Sequence, residues 1–184
     1  MILLLISIKG LIIMSDNYFV KFSKPFLDAL SETFEMMVQT KISAHSPKIK
    51  TNNVAHGDIT ALIGMNGKVE RDGQEKDFKG LMAISWPEDM YVKLAGRMLF
   101  EEYTEYCEDI ADSGAEICNI VMGNAKNGLT PLGYKIDMAT PSTVRGKNHE
   151  IKYPAKTTVV EITLSCDLGD FSLELCYQEH AINS

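Results

Sequence analysis

Residues 112–126 read DSGAEICNIVMGNAK, a pattern that predicts an amphipathic helix. At about 100° per residue, Asp112, Glu116, Asn119 and Gly123 fall within an arc of about 60°. The opposite side is apolar and consists of Ile110, Gly114, Ile117, Val121 and Ala125, flanked by Cys118, Met122 and Leu129. Because glycine inside a helix costs about 1 kcal/mol relative to alanine, Gly123 indicates that something approaches the polar face closely.

The composition is that of an ordinary globular protein. The chain has 184 residues, of which 45% are hydrophobic and 23% charged, enough for one domain or for two small related halves sharing a core. Its net charge is −7, and it contains no basic run. These features argue against nucleic acid as a partner, whereas protein partners remain possible.

The cysteine pattern favours a cytoplasmic protein with reduced thiols. Cys107, Cys118, Cys166 and Cys176 show no C-x-x-C spacing and no companion histidine pattern. Cys118 and Cys176 stand among aliphatic residues, which is typical of buried thiols. A disulfide or a zinc site is the minor alternative.

The first residues are strongly apolar, but they are too few for a transmembrane helix, which needs about 20. They also lack the charged start and the cleavage site of a signal peptide. We therefore interpret residues 1–14 as a non-native or disordered extension, with a native start at Met14, and residues 15–184 as a single domain. A membrane-tethering segment is the alternative, and no membrane insertion is expected otherwise.

Three helices are predicted. The first covers residues 24–42, with Pro25 in its first turn and an end before Ser46-Pro47. The second begins at Pro87-Glu88-Asp89, where proline and acidic residues suit a helix start. The third, which contains the opening stretch, extends from about Glu108 to Leu129.

Six strands are predicted from alternating or continuous apolar runs. They cover residues 48–54, 59–65, 78–86, 134–139, 157–166 and 171–178. The second and third form a hairpin, as do the last two around Asp167–Asp170, whereas Thr140–Gly146 is expected to be a loop. The fold class is therefore α+β: two layers, with a central, mostly antiparallel sheet of about six strands and two or three long helices packed on it.

The order of helices and strands in the two halves suggests an internal repeat. Asp28, Glu32 and Glu35 in the first helix have the same spacing as Asp112, Glu116 and Asn119 in the third. Glu35 takes the place of the carboxamide, so the polar triad is intact in the second half alone.

The second half resembles the CheX/CheC/FliY family of response-regulator phosphatases. The resemblance rests on Asp112-x-x-x-Glu116-x-x-Asn119, on its extension Ile120–Lys126, and on the TPSTVRG segment at Thr140–Gly146, which places Pro141 about twenty residues after the asparagine. A single intact motif with a degenerate first copy is more similar to CheX than to CheC. CheX proteins form homodimers, so the resemblance also implies a homodimer.

Membership would imply hydrolysis of the phosphoaspartate of a phosphorylated CheY-like receiver domain in chemotaxis or two-component signalling. Asn119 would orient the attacking water, and Glu116 would pair with a lysine of the receiver. Asp112 and Gly123 would contact the partner, whereas Pro141 would shape the neighbouring loop, with direct contact to the partner as the alternative. No cofactor of its own is expected, since Mg²⁺ would come from the receiver. A water-mediated reaction needs no activated Ser, Cys or His nucleophile, and none is apparent.

Two alternatives remain. The chain could be a non-catalytic module that binds a receiver or assembles at the flagellar switch, although docking alone would not need a water-orienting amide. Asp112 could also be simply an acidic residue favoured by the helix dipole. A metallohydrolase has little support, because the sequence contains no H-x-x-x-H motif or carboxylate cluster.

Overall fold

The computed structural model describes residues 16–181, with side chains for residues 18–180. The proposed extension at residues 1–14 lies outside the described residues. The assignment of residues 15–184 to a single domain stays a prediction.

The first helix, α1, covers Asp16–Thr33 and continues into a π-helical turn at Phe34–Val38. It begins well before the predicted start, so the first-turn position assigned to Pro25 is wrong. Proline inside a helix removes one backbone hydrogen bond, and packing offsets this loss. Phe22 and Phe26, on either side of Pro25, are fully buried, with ring centroids 5.1 Å apart.

The other two helices lie close to their predicted positions. Helix α2 covers Glu88–Leu99, with Pro87 as its N-cap residue. Helix α3 covers Ser113–Leu129 and is preceded by a separate 3₁₀ turn at Glu108–Ile110. The predicted start of α3 at Glu108 is therefore wrong, whereas its end at Leu129 is confirmed.

Eight strands form one open sheet. They are β1 (Ser43–Ala44), β2 (Lys48–Ile49), β3 (Ile59–Arg71), β4 (Gln74–Trp86), β5 (Tyr134–Met138), β6 (Ser142–Arg145), β7 (Val159–Cys166) and β8 (Gly169–Ala181). The order is β1-β7-β8-β4-β3-β5, with β2 on β7 and β6 on β3, and all pairs are antiparallel. The antiparallel α+β architecture is confirmed, and the sheet contains two short strands beyond the six predicted, β1 and β6.

Strand β6 corrects the prediction of a loop at Thr140–Gly146. Four residues pair with the first four of β3, from Ser142 opposite Leu62 to Arg145 opposite Ile59. The run is short and mostly exposed, so its side chains show no clear alternation. The pairing instead satisfies backbone groups at the free edge of β3, a contact that no local pattern reveals.

The strand order has the arrangement expected of two related halves. The β3–β4 and β7–β8 hairpins meet through β4 and β8 at the centre of the sheet. The short strands of the first half, β1 and β2, pair with β7 of the second half. Reciprocally, β5 and β6 pair with β3. The two halves thus exchange their edge strands.

Helices α1 and α3 pack side by side and cover one face of the sheet. The core between the layers contains a cluster of aromatic rings: Phe22 of α1 packs against Phe78 and Tyr177, with ring centroids 5.9 and 4.5 Å away. Phe34 stacks on Phe171 at 4.8 Å. This packing leaves the outward side of α3 exposed.

The opposite face of the sheet is covered by the segments that contain Ala55, Ile151 and Tyr153. Beneath them, the buried Lys50 ammonium lies 2.6 Å from Glu174 and 3.3 Å from Glu161. Burial raises the pKa of Glu174, while the hydrogen bond from Lys50 acts in the other direction. Buried charges of this kind need partners, and here they are paired.

Two further sequence interpretations can be compared with the structure. All four cysteines are free; Cys118 and Cys176 are buried, whereas Cys107 and Cys166 are only partly so. Within residues 16–181, none of the helices combines the length and the apolar character that crossing a membrane requires.

Candidate functional site

The outward face of α3 presents the polar residues that the helical spacing brings together. Asp112, Glu116 and Asn119 are exposed, and Gly123 is partly exposed. All eight residues assigned to the opposite side are buried: Ile110, Gly114, Ile117, Cys118, Val121, Met122, Ala125 and Leu129. The predicted division of this segment into a core face and a polar face is confirmed.

The polar side chains on this face are free. Along the helix axis, Glu116 lies about 6 Å beyond Asp112, and Asn119 lies about 4.5 Å beyond Glu116. Among residues 18–180, no ion pair or side-chain hydrogen bond engages Glu116 or Asn119. Asp112 is the N-cap residue of α3, but its side chain makes no capping hydrogen bond. An unpaired carboxylate and an unpaired carboxamide therefore stand one turn apart on a rigid helix.

Gly123 extends the same face without a side chain. A Cβ atom built at this position would meet nothing within 4 Å. The glycine is therefore not required by packing within the described chain, and the space above it is open to another molecule.

Pro141 lies on a different element, directly before β6, and is partly buried. Strand β6 contacts α3 as well as β3, so the segment containing Pro141 adjoins the helix. The structure thus groups Asp112, Glu116, Asn119 and Gly123 on one surface, whereas Pro141 joins them only through the neighbouring strand.

Arg145 at the end of β6 ties this segment to the helices. Its guanidinium makes two hydrogen bonds to Glu88 at the start of α2, of 2.9 and 3.0 Å. It also lies 4.1 Å from the ring centroid of Tyr106 in the α2–α3 linker, a cation–π contact. The hydrogen bond from Arg145 lowers the pKa of Glu88, which keeps this ion pair charged.

Sequence reasoning missed three residues that support the face, Arg145, Tyr106 and Tyr91, and it placed Gly114 on the apolar side without its contact to Tyr91. Tyr91, which is fully buried in α2, hydrogen-bonds to the backbone at the beginning of α3. Among these residues, only Gly114 could have been noticed from the sequence, because a glycine in the first turn of a helix indicates a close contact. The other contacts join elements that are distant in sequence, so no local pattern contains them.

Comparisons with known proteins agree with this fold. The family model described as chemotaxis phosphatase CheX matches residues 59–165. A CheC-like superfamily protein from Shewanella sp. PV-4 is 33% identical, with a TM-score of 0.74 over 86% of this chain and 98% of that chain. CheX from Vibrio vulnificus is 31% identical, with a TM-score of 0.73 over 86% and 99%. A comparison with curated protein sequences gave no match.

A more distant structure shares the fold. It is the CheX–CheY–BeF3–Mg²⁺ complex from Borrelia burgdorferi, whose matching chain is 21% identical, with a TM-score of 0.67 over 86% of this chain and 97% of that chain. The family model covers more than half of the present sequence, and the Shewanella sp. PV-4 and Vibrio vulnificus structures both exceed 30% identity. The chain therefore belongs to the CheX family of chemotaxis phosphatases.

Proposed function

We propose that this protein hydrolyses the phosphoaspartate of a CheY-like receiver domain in chemotaxis or related two-component signalling. One observation carries the proposal: Glu116 and Asn119 stand free and exposed, one turn apart, on a helix whose other side is completely buried. Family membership and the presence of CheY in the Borrelia complex support the choice of partner.

In the proposed reaction, Asn119 positions the attacking water. A carboxamide can accept a hydrogen bond from water through its oxygen and donate one through its nitrogen. The water oxygen attacks phosphorus in line with the leaving aspartyl oxygen. The P–O bond to the aspartate breaks, and inorganic phosphate and a free carboxylate remain. Phosphoryl transfer depends mainly on positioning and charge stabilisation, so one orienting amide is a sufficient contribution.

Asn119 does not act as a general base, because a neutral amide does not take up the proton of water usefully. The proton leaves with the phosphate product or with solvent. The role proposed for Asn119 is like that of the glutamine that orients water in Ras-type GTPases.

Glu116 is proposed to hold the partner. Its carboxylate has no described cation to neutralise it, so a lysine of the receiver can pair with it when the surfaces meet. Asp112, Gly123 and Pro141 are proposed to extend this contact, and Gly123 would let the docking surface come close. The Mg²⁺ that neutralises phosphoryl charge would be supplied by the receiver, and a homodimer is the proposed assembly.

The test follows phosphoaspartate decay on purified CheY-like receivers from the same organism. We expect the intact protein to accelerate decay and Asn119→Ala to reduce that acceleration by about 10²–10³-fold, as for loss of one transition-state hydrogen-bond donor. Binding to the receiver loaded with BeF3 and Mg²⁺ should persist in this variant. Glu116→Ala should weaken both binding and rate.

Asn127→Ala is the matched control, since Asn127 is an exposed asparagine on α3, about 80° around the helix from Asn119. This variant should accelerate phosphoaspartate decay as much as the wild-type protein does. Binding without acceleration on any receiver would favour the non-catalytic docking or flagellar-switch alternative. If the protein neither binds any receiver nor accelerates decay on one, both functions are contradicted.

A further inference from the structure

The junction between the 3₁₀ turn and α3 is built around the hydroxyl group of Tyr91. This hydroxyl accepts a hydrogen bond from the Gly114 N–H at 2.8 Å. Its own proton is directed at the carbonyl oxygens of Ile110 and Ala111, both 3.1 Å away. A side chain of α2 therefore bonds to both sides of the break that precedes α3.

In a continuous α-helix the Gly114 N–H would bond directly to the carbonyl of Ile110, four residues earlier. Here the Tyr91 oxygen stands between these two groups and bonds to each. Insertion of a side chain into the hydrogen-bond ladder is a known cause of a break in helix direction. It explains why α3 begins at Ser113 and the preceding turn remains a separate element.

A glycine at position 114 gives the Tyr91 hydroxyl its room. A Cβ there would lie 3.0 Å from Cε2 of Tyr91 and 3.2 Å from its hydroxyl oxygen, and also 3.2 Å from Cζ3 of Trp86. Such separations are too short for an unshifted side chain. Gly114 and Tyr91 therefore form one arrangement, in which the missing side chain makes room for the hydroxyl.

This arrangement changes what Asp112 can do. An aspartate at the N-cap normally accepts a hydrogen bond from the N–H two or three residues further on. The N–H two residues beyond Asp112 belongs to Gly114, and the Tyr91 hydroxyl already satisfies it. The Asp112 side chain makes no capping bond and is exposed. Tyr91 therefore caps the Gly114 N–H, and the Asp112 side chain bonds neither to that group nor to the Ala115 N–H.

We infer that Tyr91 is a positioning residue for partner docking, which caps α3 in place of Asp112 and thereby leaves the Asp112 carboxylate for a cation on the partner. The inference rests on the proposed function, in which this face of α3 meets a receiver domain. Burial raises the pKa of Tyr91 to about 12, so the hydroxyl keeps the proton that it directs at the two carbonyls.

The kinetic test uses Tyr91→Phe, which retains the ring against Trp86 and removes only the hydroxyl. The Asp112 carboxylate should then accept a hydrogen bond from the free Gly114 N–H and no longer pair with a cation of the partner. We expect KM for the phosphorylated receiver to rise about three- to fivefold, the scale of one exposed charge pair. The turnover number should stay within twofold, because Asn119 is unaffected. Tyr103→Phe, which loses a hydroxyl bonded to Glu101, is the matched control and should leave KM unchanged.

A double-variant cycle separates positioning from a merely structural role. If Tyr91 acts through Asp112, then Tyr91→Phe should raise KM no further in an Asp112→Ala background. An unchanged KM in the single variant, or a full further increase in the double variant, would overturn the inference.

Hydrogen exchange at the Gly114 amide tests the capping without any activity. In the Asp112→Ala background, Tyr91→Phe should accelerate exchange at least about tenfold, because neither acceptor remains. In the wild-type background the acceleration should be smaller, since Asp112 replaces the hydroxyl. Equal acceleration in both backgrounds, or none in the Asp112→Ala background, would contradict the inference. This result holds whether or not a receiver is hydrolysed, so its failure is distinct from failure of the proposed function.

Discussion

Helix α1, with the π-helical turn that continues it, and helix α3 carry polar residues at the same spacing, yet they present different surfaces. Asp28, Glu32 and Glu35 on the first match Asp112, Glu116 and Asn119 on the second in position. The substitution of a carboxylate for the carboxamide is the difference visible in sequence. The structure adds two further differences, one of backbone and one of charge.

The backbone of α1 does not continue as that of α3 does. Glu35 falls within the π-helical turn Phe34–Val38, whose wider winding shifts side chains away from α-helical register. Gln39, eleven residues after Asp28 as Gly123 is after Asp112, has already left the helix with a φ of 57°. By contrast, α3 continues to Leu129, so its face remains regular beyond Asn119.

The charges also differ. Asp28 forms an ion pair with Lys24 at 2.5 Å. Together with Glu32 and Lys21, these residues line a groove between α1 and α3 in which both signs of charge are present. The carboxylates of α3 have no such neutralisation within the described chain. Equal spacing therefore does not make equal sites: helix continuity and unpaired charge are needed as well.

The largest effect on stability is expected where α1 and α3 pack against each other. A Cβ at position 128 of α3 would lie 2.9 Å from Cβ and 3.2 Å from Cγ of Pro25 in α1. Gly128→Ala should therefore lower the free energy of unfolding by about 1 kcal/mol, as overpacking outweighs the gain in helix propensity. Urea denaturation measures this change. An increase in stability would show that the two helices separate more easily than their contact implies.

Gly123→Ala is the matched substitution on the open face of the same helix. Its Cβ meets nothing within 4 Å, so stability should rise by up to about 1 kcal/mol. Affinity for the BeF3-loaded receiver should nevertheless fall, since the added methyl group stands where the partner is proposed to approach. Denaturation and binding measured on the same preparation check the two effects. Unchanged binding would remove the reason proposed for this glycine.

Much of α3 could be predicted from sequence because its two faces follow a helical period over four turns. Eight buried positions and three exposed ones, among them Glu116 and Asn119, fall where the period places them. Both main hairpins were likewise predictable, and the short turn after Cys166 was placed correctly. The prediction ended the first hairpin's strands too early, because β3 and β4 continue through mostly polar residues to a turn at residues 72–73. Family resemblance supplied the roles of the polar residues, which periodicity alone does not assign.

The errors arose where tertiary contacts override local signals. Pro25 is a normal helix-start residue, but the buried aromatic residues around it hold the helix together on both sides. Strand β6 exists because β3 has an open edge, and the break before α3 exists because Tyr91 inserts from α2. Each of these contacts comes from a residue or strand outside the segment that it affects. The sequence of that segment alone therefore cannot predict it.

The most direct test of the central claim exchanges the one residue that distinguishes the two triads. Phosphoaspartate decay on a responsive receiver should be compared for the wild-type protein, Glu35→Asn, and the double variant Glu35→Asn/Asn119→Glu. If the site is on α3, the single variant should accelerate phosphoaspartate decay as much as the wild-type protein does. In the double variant that acceleration should be lower by about 10²-fold or more. Full activity in the double variant would contradict the account, because catalysis would then not depend on the amide of α3.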